Sequence, residues 1–372
     1  MAKKKTIPYV NVDEQGKEEL ERLEKIFRDV VVSGKYVGGE FVENLEHELA
    51  EYIGVKEVVT LNSGTDALMF SLICAGVRRG DEVITAPNSF IASAASIAHI
   101  GAVPVFADVD EDQNISPECI SEKITHKTKA IMPIHLTGRP CKMDAIINIA
   151  NNAGIAIIED AAQSIGTLYN KQQTGSFGLF GCFSAHPLKN LNAIGDGGYV
   201  ATDDSKSASE MRKMRNHGLV DRITAERWGF VSRMDALQAA FLSYRLTRLE
   251  GVIQKRRHNA ALYHQLLNPH HVFMPRDEPE QFNTFHTFVI QVDKRDELQA
   301  YLAENGIKTS IHYPIPIHLQ PAAAYLGYKM GDFPKAEEQS RRILTLPINQ
   351  HMTDDQVIYV ADYVNAFYST NG

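Results

Sequence analysis

Long hydrophobic runs are missing from this 372-residue chain. No stretch reaches the roughly 18 consecutive apolar residues of a membrane-spanning helix. Even the small-residue stretch FIASAASIAHIGAVPVF is interrupted by His99 and Pro104 and reads as helix, turn and strand. Cysteine is scarce: Cys74, Cys119, Cys141 and Cys182 are scattered, with no CxxC pair and no zinc spacing. Three of them lie in apolar surroundings, as reduced core thiols do, which excludes a disulfide framework and suits the cytoplasm. No leader-like segment precedes Ile7, which points the same way. The His270–His271 pair has no companions at ligand spacing, so no metal is expected. Positive charge is also short. The formal net charge of −8 excludes a broad nucleic-acid-binding or acidic-membrane surface, and the basic start MAKKK is read as a solvated terminus. A dinucleotide fingerprint is absent too: GDGG at 195–198 is not GxGxxG and follows no first βα turn, which argues against a dehydrogenase. There is no internal repeat and no low-complexity tract.

What remains is an ordinary globular composition, 44% hydrophobic and 23% charged, long enough for two domains. From Val58 to Asp203 short apolar runs (VVTL, EVITA, VPVFADV, KAIMPI, IAIIED) alternate with helical patterns (TDALMFSLICAG, FIASAASIAHIG, SPECISEKI, MDAIINIANNAG). Strands apolar on both faces and separated by helices predict a mostly parallel sheet covered by helices, an α/β fold. GLFGCFSA and GGYVATD then read as two strands with little helix between them. A long helix is expected from Asp235 to about Leu267, kinked near Gly251. Beyond it, TFHTFVIQV and KTSIHYP read as strands, and RDELQAYLAENG, AEEQSRRIL and DDQVIYVADYVNAFY as helices. The expected division is residues 1–250, an N-terminal arm with a large α/β domain, and 251–372, a smaller α+β domain.

Ligands of open α/β sheets bind beyond the carboxyl ends of the strands. That rule collects NSGTDAL, PNSF, EDAAQ and FSAHPLKN at one edge. Ser63 can cap a helix and Gly64 lets a ligand approach the backbone, so NSGTD suits a phosphate, although capping alone explains such a turn. Glu159 and Asp160 end a buried strand on opposite faces; a buried carboxylate needs a partner, whether a ligand cation, a cap or a salt bridge. Lys189 stands among small and apolar residues. Buried and neutral it is a nucleophile towards a carbonyl; exposed it is a surface cation. His135, His217 and His318 fit core, loop or surface roles. A phosphate cradle, a carboxylate, the aromatic Phe90 and a lysine together are the set pyridoxal phosphate requires.

Through IPYVNV, GKYVGGEFVENLEHELAEYIGV, NSGTDAL, GDEVITAPNSFIAS, PIHLTGRPCKMDAI, IIEDAAQSIG, FSAHPLKNLNAIGDGG, SRMDALQAAFL, HYPIPIHLQ and GDFPKAE, the chain resembles the DegT/StrS-type sugar-nucleotide aminotransferases over nearly its whole length. These are fold-type I pyridoxal-phosphate enzymes. The resemblance implies that Lys189 carries the cofactor and moves the proton between the donor Cα and cofactor C4′. It implies that Asp160 pairs with the pyridinium nitrogen, Gln163 bonds the ring hydroxyl, Phe90 stacks on the ring, and Gly64, Thr65 and Ser184 hold the phosphate. His186 then faces the sugar, and His312 and Tyr313 belong to a substrate loop from the small domain of this chain or of a neighbouring subunit. A homodimer with shared active sites follows from the same resemblance.

Two positions depart from the family pattern. Val231 in GFVSRMD stands where an asparagine usually reaches the partner's phosphate, and valine cannot donate a hydrogen bond. TLPINQH stands where SLP-x-x-P is usual, near substrate. Arg233 is a candidate for substrate or for seating the following helix. A lysine at 189 sets the chain apart from the related sugar 3-dehydratases, which have histidine there. The implied reaction takes an amino group from L-glutamate, through the pyridoxamine form of the cofactor, to a keto-sugar nucleotide. KNLNAIGDGG leans towards C3 of a dTDP-linked 3-keto-6-deoxyhexose. C4 amination of a UDP-, GDP- or dTDP-4-keto-6-deoxyhexose, a non-nucleotide keto acceptor, and a non-catalytic pyridoxal-phosphate-binding regulator are the alternatives.

Overall fold

The computed structural model describes residues 6–371; the basic start lies outside the described residues. Helices α1 (Val12–Ser33) and α2 (Glu40–Ile53) lead into β1 (Glu57–Leu61), α3 (Gly64–Cys74), β2 (Glu82–Thr85), α4 (Ala92–His99), β3 (Val103–Phe106), α5 (Pro117–Lys123), β4 (Thr128–Met132), α6 (Met143–Ala153) and β5 (Ala156–Asp160). The short β6 (Leu168–Tyr169) and β7 (Gln172–Gln173) precede β8 (Phe180–Ser184), β9 (Gly198–Thr202), α7 (Ser205–Met214), α8 (Ala236–Leu246) and α9 (Leu249–Leu266). The remainder comprises β10 (Val272–Phe273), β11 (Gln281–Phe282), β12 (Phe288–Val292), α10 (Arg295–Glu304), α11 (Pro334–Arg342), β13 (Ile343–Leu346) and α12 (Asp354–Asn371).

Seven strands form the main sheet in the order β1-β9-β8-β5-β4-β2-β3. Only β9 runs against its neighbours, so β1, β2, β3, β4, β5 and β8 all end on one edge. Alternation along the strands divides the core. Val59, Ala130, Met132, Ile158, Cys182 and Val200 pack on one face with α3 and α7, while Val58, Phe183, Tyr199 and Ala201 pack on the other with α2 and α8. Ile84, Phe106, Ile131 and Ile157 join Met143 and Ile146 of α6. Each fully buried Val, Leu, Ile or Phe contributes about 1.5–3 kcal/mol, which is why strands apolar on both sides settle at the centre of such a sandwich. A second core gathers Tyr263, Phe288, Ile290, Val292, Leu344, Val357 and Val360 around the three-stranded sheet β10-β12-β13, and Ile7 joins it through a bridge to Ile307. No helix among the described residues is long and apolar enough to cross a membrane.

Three local expectations are corrected. The long helix breaks at Thr247–Arg248, whereas Gly251 continues inside α9 with open space where a Cβ would stand, so nothing in the packing forces a bend there. KTSIHYP is not a strand: only Ser310 bridges to Thr345, and β13 takes the place beside β12. The pattern AEEQSRRIL ran α11 and β13 together because no glycine separates them; Ile343–Leu346 is buried on every residue, and that burial places it in the sheet.

Candidate active site

The strand ends build the site. After β1, Ser63 caps α3: the Asp66 N–H donates to Ser63 Oγ at 3.1 Å, which leaves the N–H groups of Gly64 and Thr65 without a partner in the helix. A Cβ on Gly64 would stand 2.8 Å from that of Ser184, and one on Gly198 2.3 Å from the Ser63 carbonyl carbon. Glycine is therefore required at both places for β1, β8 and β9 to meet. Free amides at a helix start beside a serine hydroxyl form an anion cradle.

The two acids of β5 separate as their alternation demands. Glu159 is consumed by structure: it accepts from Gly175, Phe177 and Gly178 N–H at 2.7, 2.7 and 2.8 Å and from His135 Nε2 at 2.9 Å. His135 Nδ1 accepts the Cys141 N–H, which leaves the proton on Nε2. Asp160 faces the other way. It accepts from Ser93 Oγ at 2.8 Å and from the Ala162 N–H at 3.2 Å. Burial raises its pKa, opposed by those hydrogen bonds and by the charge of Lys189.

Lys189 lies in the turn after β8, partly buried, and lines a cavity of about 430 Å³. Burial lowers its pKa to about 8, against the opposing pull of Asp160. Gly64, Thr65, Phe90, Asp160, Gln163, Ser184, His186, His312 and Tyr313 line the same cavity. Gln163 accepts the Thr137 N–H at 2.7 Å and donates to the Tyr313 hydroxyl at 3.4 Å. The Phe90 ring, 56% exposed, stands 5.9 Å from that of Tyr313. His186 is exposed. Burial, then the charge of Lys189, holds His312 down to about 4. His312 and Tyr313 thus line the cavity of their own chain.

Several participants carry no site role in the sequence reading. Ser93 is the second residue of α4, and its role shows only once β5 and α4 are packed together. Tyr9, Arg256, His286, Thr287 and Ile348 also line the cavity. Ile348 belongs to TLPINQH, so that departure does reach the site. Val231 and Arg233 do not line it: Val231 is 54% exposed, and Arg233 Nη1 donates to Asn216 Oδ1 at 3.0 Å. His318 is buried against Glu337, and His217 sits in a loop, its N–H bonded to the Phe230 carbonyl. No cluster of three metal-ligating side chains occurs among the described residues.

The donor set fits pyridoxal phosphate: an amine of lowered basicity, a buried carboxylate, and a helix start with free amides open on one cavity of sufficient size. Fold and site together define a fold-type I pyridoxal-phosphate enzyme. The DegT/DnrJ/EryC1/StrS aminotransferase family matches residues 15–365, and the chain belongs to it. It is an aminotransferase. A "Pleiotropic regulatory protein" from Geobacillus stearothermophilus is 39% identical over 97% of this chain and 98% of its own length. The dTDP-3-amino-3,4,6-trideoxy-alpha-D-glucose transaminase of Streptomyces venezuelae is 36% identical over 96% of this chain and 95% of its own. The crystal structure of S. venezuelae DesV in complex with a ketimine intermediate superposes with a TM-score of 0.95 at 36% identity, covering 97% of this chain and 98% of that one.

Proposed function

We propose that the protein moves an amino group from L-glutamate to C3 of a keto-sugar nucleotide, a dTDP-linked 3-keto-6-deoxyhexose. The observation that carries the transaminase chemistry is Lys189, of lowered basicity, sharing one cavity with buried Asp160 and the Gly64–Thr65–Ser184 cradle. The C3 assignment is supported by the wording KNLNAIGDGG and by the 3-amino product for which the S. venezuelae relative is named. One similar protein is named as a regulator. Retention here of both the lysine and the carboxylate favours catalysis over that role.

When bound, pyridoxal phosphate supplies an electron sink that acidifies the donor Cα–H. Lys189 Nζ takes that proton and later returns one at the sugar carbon. Asp160, held by Ser93 and the Ala162 amide, would pair with the ring nitrogen and keep it protonated. Gly64, Thr65 and Ser184 would hold the phosphate, Gln163 the ring hydroxyl, and Phe90 would stack on the ring. His186, His312 and Tyr313 bound the space left for the sugar. We further propose a cytoplasmic homodimer with shared active sites and a chain divided near residue 250. The exposed Val32, Ile223, Trp228 and Val231 (81%, 91%, 96% and 54%) support an apolar subunit interface.

The test is turnover against a panel of 3-keto and 4-keto sugar nucleotides with L-glutamate, with NMR of the product. Amination at C3 is expected. Exclusive amination at C4, or turnover only of free keto acids, contradicts the proposal.

A further inference from the structure

Three arginines are buried among the described residues: Arg139, Arg245 and Arg256. Two have carboxylate partners, Asp277 at 3.2 Å for Arg139 and Glu19 at 2.8 Å for Arg245. Arg256, 6% exposed on α9, has no ion-pair partner among the described residues. Its Nη1 donates to the carbonyls of Phe285, His286 and Ile348 at 3.2, 3.1 and 3.1 Å. Its buried Nε has no hydrogen-bond partner at all. Carbonyl dipoles offset part of the cost of burying this cation, but no counter-charge pairs with it among the described residues.

Arg256 lines the cavity, and it shares a smaller adjoining hollow with Lys189. The wall around it is short of negative charge. His286 and Thr287 stand beside it, and their Nδ1 and Oγ1 are also buried and unpartnered. Burial, then the charges of Lys189 and Arg256, holds His286 well below its usual range. The carboxylates on the cavity are Asp160, bonded to Ser93, and the exposed Asp196. An anion must complete this wall. The anion cradle at the start of α3 already serves a phosphate. A planar guanidinium suits a carboxylate. An amino acid reacting at Lys189 brings a carboxylate within the same cavity.

We propose that Arg256, assisted by the Thr287 hydroxyl, is the receptor for a carboxylate of the amino-acid donor. This rests on the aminotransferase reading above, and it assigns the donor subsite to α9 and the segment before β12.

The experiment uses the holoenzyme and glutarate, which has the carbon chain of glutamate without the amine. Calorimetry gives its dissociation constant for wild type, Arg256→Met and Arg256→Lys, alongside single-turnover reaction with L-glutamate and the bound-cofactor absorbance. Loss of a buried, hydrogen-bonded charge partner predicts about 100-fold weaker glutarate binding for Arg256→Met and about 10-fold for Arg256→Lys, with the donor KM rising far more than kcat falls. Glutarate affinity within about twofold of wild type in a folded variant overturns the receptor, since that is under 0.5 kcal/mol. If Arg256→Met does not fold, the same criterion applies to Arg256→Lys. A loss confined to sugar-nucleotide binding, with glutarate unchanged, also overturns it. Comparing L-glutamine with the α-amide isomer tells which carboxylate is held. A wild-type holoenzyme inert to L-glutamate would instead defeat the donor assignment, a result separable from a variant that binds glutarate normally.

Discussion

Lys189 ionises near 8 because burial disfavours its ammonium form. Only the neutral amine of a lysine attacks a carbonyl, so if Lys189 carries the cofactor as proposed, the rate at which cofactor-free protein captures pyridoxal phosphate covalently should rise with pH and level off above about 8. A free lysine would still be climbing near 10. Stopped-flow absorbance between pH 6.5 and 10 checks this, and a rate that keeps climbing throughout would show an unshifted amine. Lys189→Ala should eliminate borohydride-trappable cofactor and cut turnover by at least about 1,000-fold, the upper part of the range for a lost acid–base group. Lys189 and Asp160 were legible in the sequence because a lone lysine and a strand-terminal acid are anomalous in apolar surroundings. Ser93 and Arg256 were not, since a serine in a helix and an arginine in a basic run look ordinary until packing shows what they face.

The lysine turn is held from outside rather than by its own regularity. Arg245 of α8 donates to the Asn192 carbonyl at 2.7 Å and pairs with Glu19 of α1, whose neighbour Gln15 exchanges hydrogen bonds with Asn192. Gln238 brackets Ile194 from both sides, and Asn190 donates to the Thr284 carbonyl at 3.3 Å. Glu19→Ala should cost about 3 kcal/mol in a denaturant titration, because it strands the buried Arg245 charge. At the other end of the site, Gly198→Val forces β9 off Ser63 and should weaken cofactor retention by at least about 10-fold, measured by dialysis and absorbance, because the cradle amides shift. The βα rhythm made the main sheet readable. The clamp on the turn was hidden because its partners come from residues 15, 19, 238 and 245, which are remote in sequence. β13 was hidden because its register depends on β12, not on local pattern.

The chain has a single tryptophan, and Trp228 is 96% exposed in one subunit. Ile223 and Val231, also exposed, lie with it in the segment between α7 and α8, which a proposed homodimer would cover. Sedimentation should show a dimer with blue-shifted tryptophan emission, and Trp228→Glu should shift it towards monomer. An active wild-type monomer would refute the shared-site arrangement. The family was readable from motif order along the chain, whereas the acceptor was not, since its recognition depends on cavity shape assembled from both ends of the sequence. The proposed reaction transfers an amino group through Lys189-bound cofactor to a keto-sugar nucleotide. The most direct measurement follows the holoenzyme spectrum on adding L-glutamate and then a dTDP-3-keto-6-deoxyhexose. Conversion to the pyridoxamine form by the first addition and full return by the second are expected, with one aminosugar formed per site. A spectrum that converts with glutamate but does not return with any keto-sugar nucleotide would contradict it.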